Sequence, residues 1–130
     1  VAAWKETVLE EARKTGYVET LSGRRRKVTN LTVRNGNVRA NAERMAVNTP
    51  IQGTSADMIK IAMVRMFDAL ETEQFAAKMV LQVHDELIFS VPRDEIDRLQ
   101  PRVREVMEQA LPLDVPVRVD MGMGGDWSEC

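Results

Sequence analysis

Residues 78–91, KMVLQVHDELIFSV, carry two alternating apolar runs that meet at a cluster of ionisable side chains, and no other stretch of the 130 residues restricts the fold as much. Met79, Leu81 and Val83 alternate with Val80, Gln82 and His84, while Leu87, Phe89 and Val91 alternate with Ile88 and Ser90. Period two over β-favouring residues predicts two strands of a hairpin. Only Asp85 and Glu86 are left to turn the chain, and neither suits the positive φ of a two-residue hairpin turn. A turn built without Gly or Asn implies that its residues serve something else.

Two adjacent carboxylates beside an imidazole repel each other unless a cation or a proton lies between them. Asp85 and Glu86 are therefore candidate ligands for a hard divalent metal, with His84 beside them. The competing meaning is a solvated acidic turn. On spacing alone that meaning is the commoner one, and a lone histidine is more often a polar neighbour than a ligand.

A chain of 130 residues, 44% hydrophobic and 29% charged, is long enough for one ordinary core and too short for two, so one compact unit is expected. No apolar run approaches the ~20 residues needed to span a bilayer, and no charged-then-apolar leader opens the sequence, so it reads as soluble and cytosolic. One cysteine, Cys130, leaves no internal disulfide. The formal charge of −2 conceals an asymmetry. Residues 1–60 hold eleven Lys/Arg against six Asp/Glu, and residues 61–130 hold seven against fourteen. A basic first part suits phosphate and an acidic second part suits divalent cations, unless both are simply unevenly solvated surface.

Along the chain, Trp4, Val8, Leu9 and Ala12 form one helical stripe that Gly16 stops. A Ser22-Gly23 turn signal then precedes Arg24, Arg25, Arg26 and Lys27, four cations on a turn that either contact phosphate or are solvated. A second helix follows the Asn35-Gly36 pair, with Val38, Ala42, Met45, Ala46 and Thr49 facing inward. On another side Arg44, Asn48 and Gln52 stand at spacing four, stacked about 6 Å apart by the helical rise. Such a row of donors can grip the minor-groove acceptors shared by all base pairs; a polar solvent face is the alternative. Pro50 is expected to kink or break this helix, with Thr54 and Asp57 as a loose capping pair for the next one. In that helix Ile59, Ala62, Met63, Met66, Phe67 and Leu70 make a core stripe. A helix over residues 92–110, bent at Pro101, and a final strand through Val115, Val117, Val119 and Met121 complete the sequence. The fold class is α+β, an antiparallel sheet built on the hairpin with helices packed on one face.

QVHDELIF resembles the third signature motif of the family A DNA polymerases, the bacterial DNA polymerase I group. The resemblance extends to GYVETLSGRRR at residues 16–26, AERMAVNTPIQGTSAD at 42–57 and VRVDMGMGGDW at 117–127, so it covers nearly the whole chain in order. It implies part of a polymerase palm: residues 1–36 as the end of the fingers region with a basic connecting segment, and residues 37–130 as palm. It further implies template-directed nucleotidyl transfer to a primer 3′-hydroxyl with two Mg²⁺ ions, about 3.5–4 Å apart. Asp85 would be a metal ligand and Glu86 an auxiliary carboxylate, and His84 with Gln82 would steady the primer end. Arg44, Asn48 and Gln52 would contact primer-template DNA, and the basic run of Arg24, Arg25, Arg26 and Lys27 would face the nucleic acid.

The family's first catalytic aspartate, in a DYSQIELR-like segment, and its nucleotide-binding Lys and Tyr are not in these residues. The expectation is therefore a palm fragment of a longer polymerase, inactive by itself, whose parent takes deoxynucleoside triphosphates. It should self-associate through a bared sheet edge or the apolar face of its first helix. Two other readings stay open: a stand-alone nucleic-acid-binding module without catalysis, and a plain α+β domain whose acidic turn does nothing.

Overall fold

A computed structural model describes residues 1–129. Helix α1 (Ala2–Thr15) ends where its glycine allows, because Gly16 takes the left-handed conformation (φ 80°) and returns its N–H to the Ala12 carbonyl. The chain then forms an antiparallel pair, β1 (Tyr17–Glu19) with β2 (Arg25–Lys27), in the register Tyr17↔Lys27 to Glu19↔Arg25. Gly23, at φ 87°, supplies the turn between them. The basic run therefore lies mostly on a strand, one element later than the turn expected for it.

Helix α2 runs from Gly36 to Thr72, 37 residues with Pro50 inside, where the sequence predicts a kink or a break. Asn35 caps its start, its Oδ1 accepting the N–H groups of Asn37 and Val38. Proline removes one ladder bond and crowds the preceding turn, at a cost of about 3 kcal/mol. The flanking threonines bond back to the helix, Thr49 Oγ1 donating to the Met45 carbonyl at 2.7 Å and Thr54 Oγ1 to the Pro50 carbonyl at 2.6 Å, and neither replaces the bond that Pro50 cannot give to Ala46. Burial on both sides of the proline, at Ala42 and Ala46 before it and at Ala62 and Met66 after it, holds the helix in one piece. Thr54 and Asp57 consequently cap nothing.

Two compact units divide inside α2, one from Val1 to Asp57 and one from Met58 onward, and each has its own hydrophobic cluster. In the first, Ala12 of α1 packs with Val18, Val28, Leu31, Ala42 and Ala46, and Val8 and Leu9 lie against them. The stripe predicted for the first helix is thus largely covered within its own unit, with Trp4 the exception at 40% exposure. The second unit gathers Met66, Ala69 and Leu70 of α2 with Leu99, Val103 and Val106 of α3 (Ile96–Glu108). Phe67, expected in this stripe, is 54% exposed. It lies about 100° round the helix from Met66, outside the narrow face that the cluster covers.

The hairpin forms as β3 (Lys78–Val83) paired antiparallel with β4 (Glu86–Ser90). A bulge between Met79 and Leu81 interrupts the expected alternation. Met79, with Phe89 opposite it, packs on the second cluster, while Leu81 (opposite Ile88) is 44% exposed. One extra residue re-aims every side chain beyond it to the other face. The final strand does not form. Val117, Val119 and Met121 are half-buried between exposed neighbours, as alternation requires, but Pro116 removes a donor and the Val119 N–H goes to the Glu108 carboxylate at 3.1 Å. The α+β class holds, with the strands in two separate two-stranded sheets.

Met66 is fully buried at the centre of the second cluster. Met66→Ala should lower unfolding stability by about 2–5 kcal/mol, measured by denaturant titration, whereas Phe67→Ala should change it far less.

Candidate functional site

The continuity of α2 decides the first group of candidate residues. Arg44, Asn48 and Gln52 are all exposed, and with no break at Pro50 they remain on one row at spacing four. Arg44 Nη2 donates to Asn41 Oδ1 one turn earlier, which lays the guanidinium along the helix. No side-chain bond ties Asn48 or Gln52 among the described residues. Three donors on one exposed edge, in the basic unit of the chain, can meet acceptors along a duplex without distinguishing base pairs.

Strand alternation sorts the four cations of the basic run. Arg24 and Arg26 turn toward α2: Arg24 Nε donates to Asp57 Oδ1 at 2.7 Å and its Nη2 to the Gly53 carbonyl at 3.2 Å, and Arg26 Nη1 reaches Thr49 Oγ1 at 3.5 Å. Arg25 pairs with Glu19 at 2.8 Å and lies over the Tyr17 ring, 4.7 Å from its centroid. Lys27 is exposed and has no side-chain partner among the described residues. Fully extended neighbours point to opposite faces, so one face of the run is bound into the fold and the other meets solvent.

Asp57 is the buried charge of this unit. Its Oδ2 accepts bonds from Thr20 Oγ1 at 2.7 Å and from Ser22 Oγ, and its Oδ1 accepts from Arg24. Burial pushes the carboxyl pKa up, but the Ser22 and Thr20 hydroxyls and the bonded Arg24 charge outweigh it and hold the group at about 2. The loop is pinned at a further point where the Leu21 N–H donates to Thr54 Oγ1 at 3.1 Å. Reading the sequence for caps missed this arrangement. Its signal was an acid one turn after Gly53 and three residues after Thr54.

The hairpin tip is built differently from the expectation. Its two turn residues are His84 and Asp85, since Val83 pairs with Glu86 and Glu86 belongs to β4. The positive φ falls on His84, at 53°, and histidine tolerates that region better than most residues. Gln82 Nε2 donates to the His84 carbonyl and closes the turn from one side. At the other end of β3, the Glu95 carboxylate accepts the N–H groups of Ala76 and Ala77, each at 2.9 Å. Asp85 and Glu86 are exposed, and no side-chain hydrogen bond or ion pair engages either among the described residues. Nor does any group of three or more His, Cys, Asp or Glu side chains converge there to enclose an ion. Two unengaged carboxylates suit a hard cation that keeps waters and takes its other oxygens from a bound phosphate.

Residues 1–129 match the family model described as DNA polymerase family A. A thermostable DNA polymerase I from Thermus filiformis is 54% identical over 129 residues, covering 99% of this chain and 15% of that protein. DNA polymerase I from Bacillus subtilis (strain 168) is 53% identical over 127 residues, covering 98% of this chain and 14% of that protein. Among solved structures, the POL domain of Pol1 from M. smegmatis, in complex with DNA primer-template and dNTP, matches with a TM-score of 0.94 and 44% identity, over 98% of this chain and 23% of that one. The chain therefore spans about 15% of the length of the curated relatives it matches.

A carboxyl held at about 2 stabilises the folded state above its ordinary pKa of about 3.9, and that contribution is lost as pH falls through the folded value. Wild type should exceed Asp57→Asn in stability by on the order of 1–2 kcal/mol at pH 7. The gap should close between about pH 4 and pH 2, followed by circular-dichroism melts across that range.

Proposed function

The chain belongs to DNA polymerase family A, and on that premise we propose that it is palm, with the end of the fingers in residues 1–36, of a DNA-directed DNA polymerase that extends a primer 3′-hydroxyl along a template. The observation that carries this reading is the hairpin tip, where Asp85 and Glu86 stand exposed, with no side-chain partner among the described residues, on a hairpin anchored by Glu95. Asp85 and Glu86 would hold divalent metal, Mg²⁺ by the chemistry of their oxygens and two ions in the complete site. Such ions, when bound, neutralise charge on the transferring phosphate and stabilise the attacking and leaving oxygens.

The chain's own residues do the rest. The bulge and the Glu95 anchor fix where the tip stands, and His84 and Gln82 present hydrogen-bonding groups beside the carboxylates for the primer end. Arg44, Asn48 and Gln52 grip the primer-template duplex through groups common to all base pairs, which suits an enzyme that must copy any sequence. Arg25 and Lys27, on the outward side of the basic strand, meet backbone phosphate. The basic unit, with ten Lys/Arg against six Asp/Glu, supports DNA as the partner. The acidic unit, with eight against fourteen, supports the cation.

The 130 residues by themselves supply two carboxylates and no third ligand among those described, so the complete site needs further parts of a polymerase, including the groups that hold the incoming deoxynucleoside triphosphate. The exposed edges of the β3–β4 pair are where the isolated chain would self-associate. Among the described residues no helix is long and apolar enough to cross a membrane; the cytoplasm, at the nucleoid, is where such an enzyme meets DNA. A second reading, DNA binding without catalysis, draws on the basic unit, whose ten Lys/Arg against six Asp/Glu need no metal to meet phosphate. It requires Asp85→Asn to leave DNA binding unchanged whether or not Mg²⁺ is present.

Primer-extension assays decide between the two. In the full-length polymerase, Asp85→Ala should lower kcat by at least about 10²–10³-fold, the scale of removing one preorganised charge stabiliser. The isolated 130-residue chain should extend nothing with Mg²⁺ and all four nucleotides. Gln52→Ala should weaken primer-template binding and leave stability within about 0.5 kcal/mol of wild type.

A further inference from the structure

The basic run and the donor row are joined at one place in the first unit, and the join uses residues that neither grip needs for itself. Gly53 directly follows Gln52, the end of the donor row, and Arg24 directly precedes Arg25, the start of the basic strand. Between them the side chains of the β1–β2 loop press so closely on α2 that a Cβ on Gly53 would stand 2.5 Å from Thr20 Cγ2 and 3.3 Å from Arg24 Nη2. Arg24 forks between the Asp57 carboxylate and the Gly53 carbonyl, Thr20 and Ser22 bind the other oxygen of Asp57, and the Leu21 N–H binds Thr54. The salt bridge is half sheltered, since the Asp57 side chain is only 7% exposed. Arg26 adds a second tie beside it, at Thr49.

We propose that Asp57, with Arg24 as its partner, is a positioning residue for DNA binding, fixing the basic strand against α2 so that Arg25 and Lys27 on one side and Arg44, Asn48 and Gln52 on the other engage the same duplex. This rests on the DNA-binding reading given above. It also divides the run of four cations by role. Arg25 and Lys27 touch phosphate, and Arg24 and Arg26 hold the strand that presents them. Asp57 touches no DNA and no metal. It acts through Arg24.

The two roles leave different marks on salt dependence. A side chain that neutralises a phosphate releases a counterion, so its removal lowers the slope of log K against log salt by about 0.9. A side chain that only positions the strand weakens binding without removing a counterion. Lysine also separates the cases, because it keeps the charge but cannot reproduce the guanidinium fork.

The test is primer-template affinity of the full-length polymerase as a function of salt, together with KM and kcat for extension. Arg24→Lys and Asp57→Asn should each raise Kd and KM about tenfold, with kcat nearly unchanged and the salt slope unchanged. Combined, they should be no worse than either alone. Lys27→Ala and Arg25→Ala should each lower the slope by about 0.9. Ser22→Ala, which removes one bond to Asp57 from an exposed residue, should shift Kd in the same direction by a smaller factor, and it carries the test with Arg24→Lys if Asp57→Asn does not fold. An Arg24→Lys variant that binds like wild type, or an Arg24→Ala variant that lowers the slope as Lys27→Ala does, would overturn the proposal and return Arg24 to direct phosphate contact. Kd that responds to none of these substitutions, Lys27→Ala and Arg25→Ala included, would overturn the DNA-binding reading itself.

Discussion

Continuity of α2 through Pro50 is the constraint that places the side chains of the first unit. Had the proline split the helix, Gln52 would leave the row of Arg44 and Asn48, and Gly53, Thr54 and Asp57 would no longer share the face that meets the β1–β2 loop. Helix propensity argues against continuity, since proline costs about 3 kcal/mol in a helix interior. Packing decides it. Ala42 and Ala46 are buried before the proline, and Ala62 and Met66 after it.

Charge in the first unit follows from the same geometry. Four consecutive cations on a free loop would repel one another and sample many arrangements. On a strand they alternate, so Arg24 and Arg26 find Asp57 and Thr49 while Lys27 stays in solvent. Burying Asp57 would be costly without partners, and each of its oxygens has one or more. The network specifies where the loop sits more than it adds to stability. A buried ion pair is weak evidence for stability but a common way to fix a geometry.

Much of this was legible in the sequence. Local rules found α1 and its glycine stop, the hairpin, α3 and the exposed row on α2, because each depends on periodicity or on one turn residue. Non-local partners decided the rest. Whether residues 115–121 form a strand depends on a neighbouring strand, and among the described residues none pairs with them. The bulge after Met79 depends on what β4 packs against, and Phe67 faces solvent because the cluster around Met66 covers a narrow face. The tip was misassigned by one residue. Histidine accepts a positive φ more readily than a rule written for Gly and Asn allows, which moves the turn to His84 and Asp85 and puts Glu86 on the strand.

Contact between the α2 row and a duplex is the claim on which the functional reading turns, and photocrosslinking tests it most directly. A photoreactive side chain would replace Asn48 in the full-length polymerase, with a second variant carrying it at Lys5, an exposed residue of α1 in the same unit. Each would be irradiated with labelled primer-template. Strong crosslinking from position 48 to the duplex, lost on addition of unlabelled primer-template, is the result expected. Crosslinking from position 48 no stronger than from position 5 would contradict it.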